Sequence, residues 1–93
     1  MAYSYQAWKN ENESIMDLIP YAEDFPLINN YGWEWKFNDK VYNIRHELNC
    51  YGAEVDYWMY YDDSKSGTPD CIKTFNNFDE AFEFLKTKPW EVA

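Results

Sequence analysis

Between residues 33 and 48 the chain alternates large apolar and polar side chains on both sides of an Asn-Asp pair. Trp33, Trp35 and Phe37 are separated by Glu34 and Lys36; after Asn38-Asp39, Tyr42, Ile44, His46 and Leu48 are separated by Asn43, Arg45 and Glu47. A repeat of two places each set on one face of a pleated strand. Asn and Asp tolerate positive φ, so this pair suits the central positions of a tight primed turn. Such a turn pairs Phe37 with Lys40, Trp35 with Tyr42 and Trp33 with Ile44, joining both apolar sets on one face. A slip of one residue would scatter them over both faces. Pattern and turn chemistry therefore predict the same hairpin register.

The rest of the chain is read around this hairpin. A turn near Asn49 to Gly52 leads into a strand over 53–61, with Val55, Tyr57, Met59 and Tyr61 expected on the core face. Glu54, Asp56, Trp58 and Tyr60 are then expected on the outer face, beside Glu34, Lys36 and Arg45. Cys71 to Phe75 reads as a fourth strand. Asn77 and Glu80 have the spacing of a capping pair, and Phe78, Ala81, Phe82 and Leu85 follow at helical spacing until Pro89. Near the N-terminus, Ile15, Leu18, Ile19 and Ala22 predict a helix over 11–19, begun by early acids and ended by Pro20. Pro26 predicts an irregular segment over 24–30. The expected fold is a single α+β domain over 1–93, of order α-β-β-β-β-α. Its sheet is a four-stranded, or three-stranded, antiparallel meander with the N-terminal and C-terminal helices packed on it.

Composition bounds the function. The 93 residues include five Trp, nine Tyr and six Phe and carry a formal net charge of -9. A domain of this size buries only about 60% of its unfolded surface, so some rings are expected to face water. The negative charge is spread along the chain, which repels nucleic acid and anionic lipid and speeds encounter with basic partners. A single arginine, Arg45, is too little for the basic-aromatic interleaving of single-strand binders. No apolar run reaches the roughly 18 residues of a membrane span, and Met1 to Gln6 lacks the basic-then-apolar order of a signal peptide, so a cytoplasmic location is expected. Cys50 and Cys71 fit no zinc spacing and read as two reduced, partly buried thiols.

Candidate chemistry is sparse. The stretch from Asp62 to Asp70 matches the opening of a calcium loop, with oxygen side chains at positions one, three, five and nine and Gly67 at six. Its twelfth position is Lys73, where a bidentate Glu is needed, so the stretch reads as a solvated turn and no metal is expected. His46 and Cys50 stand four apart, too far along a strand for a Cys-His nucleophile; His46 instead is expected to cap the aromatic row. Asp62-Asp63 and Asp79-Glu80 are adjacent acids whose side chains diverge, unlike a glycosidase pair set across a cleft. No catalytic or cofactor motif emerges, so the chain is read as a non-enzyme without cofactor.

The reading that remains is a non-enzymatic, acidic protein-binding module. Its carboxylates and aromatics are expected to occupy a basic, nucleic-acid-binding site on a partner protein such as a nuclease, with carboxylates standing in for phosphates. Glu54, Asp56, Trp58 and Tyr60 are the expected contacts, with Asp62, Asp63 and Asp70 on the adjoining loop. In size, charge and lack of motifs the chain resembles phage anti-defence proteins, anti-CRISPR inhibitors among them, and toxin-neutralising immunity proteins. That resemblance is one of general character and implies an inhibitory role. The alternative is a structural module whose exposed aromatics close a homodimer interface.

Overall fold

The computed structural model describes residues 5–26, 31–48, 56–64 and 68–92. The elements are α1 (Tyr5–Leu18), β1 (Glu23–Pro26), β2 (Tyr31–Phe37), β3 (Lys40–Leu48), β4 (Asp56–Asp62), β5 (Asp70–Phe75), α2 (Phe78–Leu85) and α3 (Pro89–Val92). The strands form one antiparallel meander in the order β1-β2-β3-β4-β5. The fold is the expected small α+β domain, with five strands rather than four.

The central hairpin has the predicted register: Phe37 pairs with Lys40, Trp35 with Tyr42 and Trp33 with Ile44. Asn38 and Asp39 have φ of 51° and 65°, the left-handed values that a primed turn requires. Cross-strand pairs share a face, and β3 hands its parity to β4 by pairing Ile44 with Tyr60 and His46 with Trp58. The inner face is therefore Trp33, Trp35, Tyr42, Ile44, His46, Trp58 and Tyr60, all buried.

All three helices lie on that face. α1 contributes Ile15, and Ile19 follows directly after it, both fully buried; the helix also bonds two rings of β2: Trp33 Nε1 donates to Asn12 Oδ1 at 2.7 Å and the Tyr31 hydroxyl donates to Glu11 at 2.6 Å. Glu11 and Asn12, read from sequence as the start of the helix, sit in its middle. The helix begins at Tyr5 because Trp8 extends the sheet-facing row of Ile15 and Ile19 by two more turns and packs on the core. α2 buries Ala81 and Leu85 and sets Phe78 edge-on to Trp58 and Phe84 edge-on to Tyr60. After α2, Lys88 takes a left-handed φ of 48° and Pro89 opens the short α3, where a missing N–H costs nothing. Pro89 thus ends one helix and starts another, which carries Trp90 to within 4.9 Å of Trp35. The shortest dimension of the molecule, 20 Å, is one helix layer on one sheet.

Three sequence expectations are corrected. The segment read as irregular over 24–30 holds all of β1 but its first residue, and β1 pairs Glu23 with Glu34 and Pro26 with Tyr31; proline is tolerated because β1 is an edge strand. Cys71 is exposed rather than partly buried, since β5 is the opposite edge and only its last residue, Phe75, is buried. Tyr57, Met59 and Tyr61 are partly buried on the outer face, whereas Trp58 and Tyr60 are in the core. Both alternating sets of β4 are apolar, so its parity is decided by pairing with β3. The expected Val55 lies outside the described residues, as does Cys50.

The start of α2 is the predicted cap. Asn77 Oδ1 accepts from the Glu80 N–H at 2.9 Å, and its Nδ2 donates to the Glu80 carboxylate at 3.2 Å. Asn77→Ala should lower stability by about 1 kcal/mol, the usual value of an N-cap. Thermal unfolding followed by circular dichroism should then show a Tm lower by roughly 4–8 °C for a domain of this length.

Candidate functional site

The face of the sheet opposite the helices carries no helix among the described residues, and it is built from the alternate residues of each strand. Phe25, Gly32, Arg45 and Met59 form one row across β1 to β4, and Glu34, Asn43 and Tyr61 form the next. Glu34, Lys36 and Arg45 lie there as expected from the hairpin pattern. Arg45 is held between two rings, its guanidinium carbon 4.1 Å from the centroid of Tyr61 and 5.3 Å from that of Phe25. Its Nε donates to Asn43 Oδ1 at 2.9 Å, and its Nη2 lies 3.8 Å from Asp63 Oδ2. Asn43 in turn donates to Asp63 at 3.4 Å and is fully buried beneath these side chains. The lone arginine is thereby consumed in ordering the outer face.

Gly32 makes this packing possible. It stands between Phe25 and Arg45 in register, and a Cβ there would come within 2.3 Å of the Ile44 carbonyl oxygen and 3.1 Å of Arg45 Cα. A side chain would force β2 and β3 apart at the centre of the sheet. Gly32→Ala should therefore destabilise the fold, although alanine has the better intrinsic stability in most strands. Denaturant unfolding should show a lower midpoint with an unchanged slope.

Where β2 runs past the start of β1, a cleft of about 430 Å³ opens, lined by Tyr21, Glu23, Glu34, Trp35, Lys36 and Val41. Glu23 and Glu34 are direct cross-strand partners, and like charges set directly opposite each other are destabilising. The Glu34 carboxyl lies above its ordinary range, first because it is partly buried and then because Asp63 and Glu23 add negative potential, with Arg45 and Lys36 opposing. Tyr21 is fixed at the rim: its hydroxyl accepts from Trp90 Nε1 at 3.0 Å and reaches Glu91 at 3.5 Å. In the core, burial pushes the Tyr60 phenol well above its ordinary value, with Tyr42 and Asp62 adding to the shift.

The sequence-predicted contacts divide under this geometry. Trp58 and Tyr60 are 1% and 2% exposed and cannot form the expected outer surface; they fill the core because β3 sets the parity of β4. Asp62 accepts from the Ser64 N–H at 3.0 Å and hydroxyl at 2.6 Å, closing the turn after β4. Asp63 is turned onto Asn43 and Arg45. Asp70 is exposed and pairs in register with Asp62. Glu54 lies outside the described residues, and Asp56 is described only by its backbone pairing with Leu48. His46 lies within the aromatic row, 5.3 Å from Tyr31 and 4.9 Å from Trp58, and is buried. Among the described residues no three His, Cys, Asp or Glu are grouped to hold a metal ion, and no helix is long and apolar enough to cross a membrane.

Sequence reasoning missed Phe25, which falls in the segment read as irregular, Tyr21 and Glu23, which lie just before it and were given no role, and Tyr57, Met59 and Tyr61, assigned to the wrong face. A Gly at the second position of an otherwise bulky strand was the available signal of close approach there. Comparison with protein-family models, with curated proteins and with solved structures finds no match to this chain.

Glu34 yields a pH prediction. A carboxyl whose folded pKa is raised costs stability once pH rises above that pKa, and costs nothing below the unfolded value of about 4.3. Glu34→Gln should raise Tm at pH 7, and the difference should close as pH falls below about 4.3. Melting curves of both proteins between pH 3 and 8 test the sign.

Proposed function

We propose that the protein is a non-enzymatic binding module whose helix-free face and adjoining cleft dock a basic site on another protein, acting as an inhibitor in the cytoplasm. The observation that carries this reading is the Glu23–Glu34 pair at a cleft flanked by Tyr21 and Trp35. Two carboxylates held opposite each other, one of them partly desolvated, gain from an incoming cation. A guanidinium is the best match, since it bridges two carboxylates and stacks on aromatic faces. Elsewhere on the helix-free face, Phe25, Tyr57, Met59 and Tyr61 supply the partly buried apolar area that hot spots use. The net charge of -9 sets the sign of the partner and speeds its encounter. A surface matched to arginines competes with nucleic acid for a basic groove, which supports an inhibitory role toward a nuclease or other nucleic-acid-binding protein.

The test compares the wild type with the double variant Glu23→Gln and Glu34→Gln as immobilised baits in host lysate. The wild type should retain a basic protein that elutes as salt rises, since the Debye length shrinks from about 10 Å at 0.1 M to about 3 Å at 1 M. That protein should lose its nucleic-acid binding when the wild type is added. The double variant should remain folded by its melting transition yet retain at least tenfold less. Equal retention by the two baits overturns the assignment of this cleft.

A further inference from the structure

The two edges of the sheet are not alike. β1 is four residues long and ends in Pro26, which has no N–H to offer, so it is a poor template for another strand. β5 is six residues long, exposed from Asp70 to Thr74, and contains no proline. Among the described residues nothing pairs with its outer side. The pairing of Tyr60 with Lys73 and of Tyr61 with Cys71 leaves Ile72 as the extra residue of a bulge, 53% exposed. Beyond the bulge, Lys73, Thr74 and Phe75 return to regular pairing beside α2.

Between this edge and α2 runs an open groove of about 510 Å³. Phe75 and Phe84 meet in it at 5.3 Å, and Asp79, Glu80 and Glu83 line the helix side. The groove already holds one cation of the chain itself: the Lys73 ammonium lies 5.2 Å from the Phe84 centroid and 5.7 Å from that of Phe75. Glu83 is engaged by Lys86 at 2.9 Å, but both side chains are largely exposed, and such pairs are weak enough to yield.

We infer that β5 and this groove receive an extended, Lys/Arg-rich segment of a partner protein, which pairs along Lys73 to Phe75 as a sixth strand. Main-chain hydrogen bonds to the open edge supply affinity, and alternate side chains supply specificity. Because Lys73 and Phe75 share the helix-covered face, every second side chain of the added strand enters the groove. Long basic side chains fit it, with their methylene stems on Phe75 and Phe84 and their charged ends at Glu80 and Glu83. The groove is separate from the Glu23–Glu34 cleft, and the inference shares with the proposed function only the basic character of the partner.

The test is a titration of isotope-labelled full-length protein with the acetylated, amidated peptide Lys-Thr-Arg-Thr-Lys-Thr, against Glu-Thr-Glu-Thr-Glu-Thr as control. The basic peptide should shift the amide signals of Lys73, Thr74 and Phe75 and slow their hydrogen exchange at least tenfold; the acidic peptide should do neither. Glu80→Gln with Glu83→Gln keeps an amide acceptor at the capping position and should weaken binding at least tenfold. Absence of β5 protection at millimolar peptide overturns the inference. Shifts confined to Tyr21, Glu23 and Glu34 overturn it too, while leaving the cleft assignment standing. Protection of β5 that rises with protein concentration alone would show a second copy of the chain on the edge, and would likewise overturn it.

Discussion

The core of this protein rests on a ladder of rings across three strands. Trp33 lies parallel to Trp58 at 6.1 Å, and Trp35, Tyr42 and Tyr60 stack on one another at 6.1–6.5 Å. The ladder is built from cross-strand neighbours, so it exists only if β2, β3 and β4 keep their register. Removing one buried tryptophan typically costs about 3–5 kcal/mol, and a whole domain is stable by only about 5–15 kcal/mol. The helices are arranged to cover this ladder: α1 bonds the Tyr31 and Trp33 polar atoms, α2 lays phenylalanines on Trp58 and Tyr60, and α3 exists to bring Trp90 to Trp35. With so many large rings on one face, one sheet and one helix layer suffice for a core in 93 residues.

Placing all helices on one side leaves the other side to be ordered by its own side chains. Arg45 does most of that, clamped by Tyr61 and Phe25 and tied to Asn43 and Asp63. Its position is available because Gly32 has no side chain. With the lone arginine tied to Asp63, the remaining carboxylates of the region, Glu23 and Glu34, face each other, and burial and negative neighbours outweigh Arg45 and Lys36 at Glu34. The opposed carboxylate pair beside partly buried rings is the feature on which the proposal of a basic partner rests. The open edge at β5, with acids above aromatic rings, has the same complementarity in a different geometry.

The hairpin and the start of α2 were fully legible in the chain because each rests on two local signals that agree. Apolar alternation and the Asn38-Asp39 turn specify one register, and Asn77 with Glu80 specify one cap. The face of β4 was not legible. Its residues Tyr57 to Tyr61 are apolar at both parities, so alternation carries no information, and the connection 49–55 lies outside the described residues. From this followed the misassignment of Trp58 and Tyr60 as surface contacts. The start of α1 was misread because early acids such as Glu11 suit a helix N-terminus, whereas Glu11 and Asn12 accept hydrogen bonds from rings far away in sequence.

What the sequence determined by itself is therefore local: the central hairpin, the capped C-terminal helix, the small α+β class and the negative charge. These follow from side-chain period, turn chemistry and composition, none of which requires knowing a distant neighbour. Only the tertiary structure decided which rings are core and which are surface, and that Glu23 and Glu34 oppose each other beside Tyr21. It also decided that β5 leaves an open edge beside an acidic helix. Each of these depends on pairing between strands, and pairing is a property of the assembled sheet rather than of any one segment.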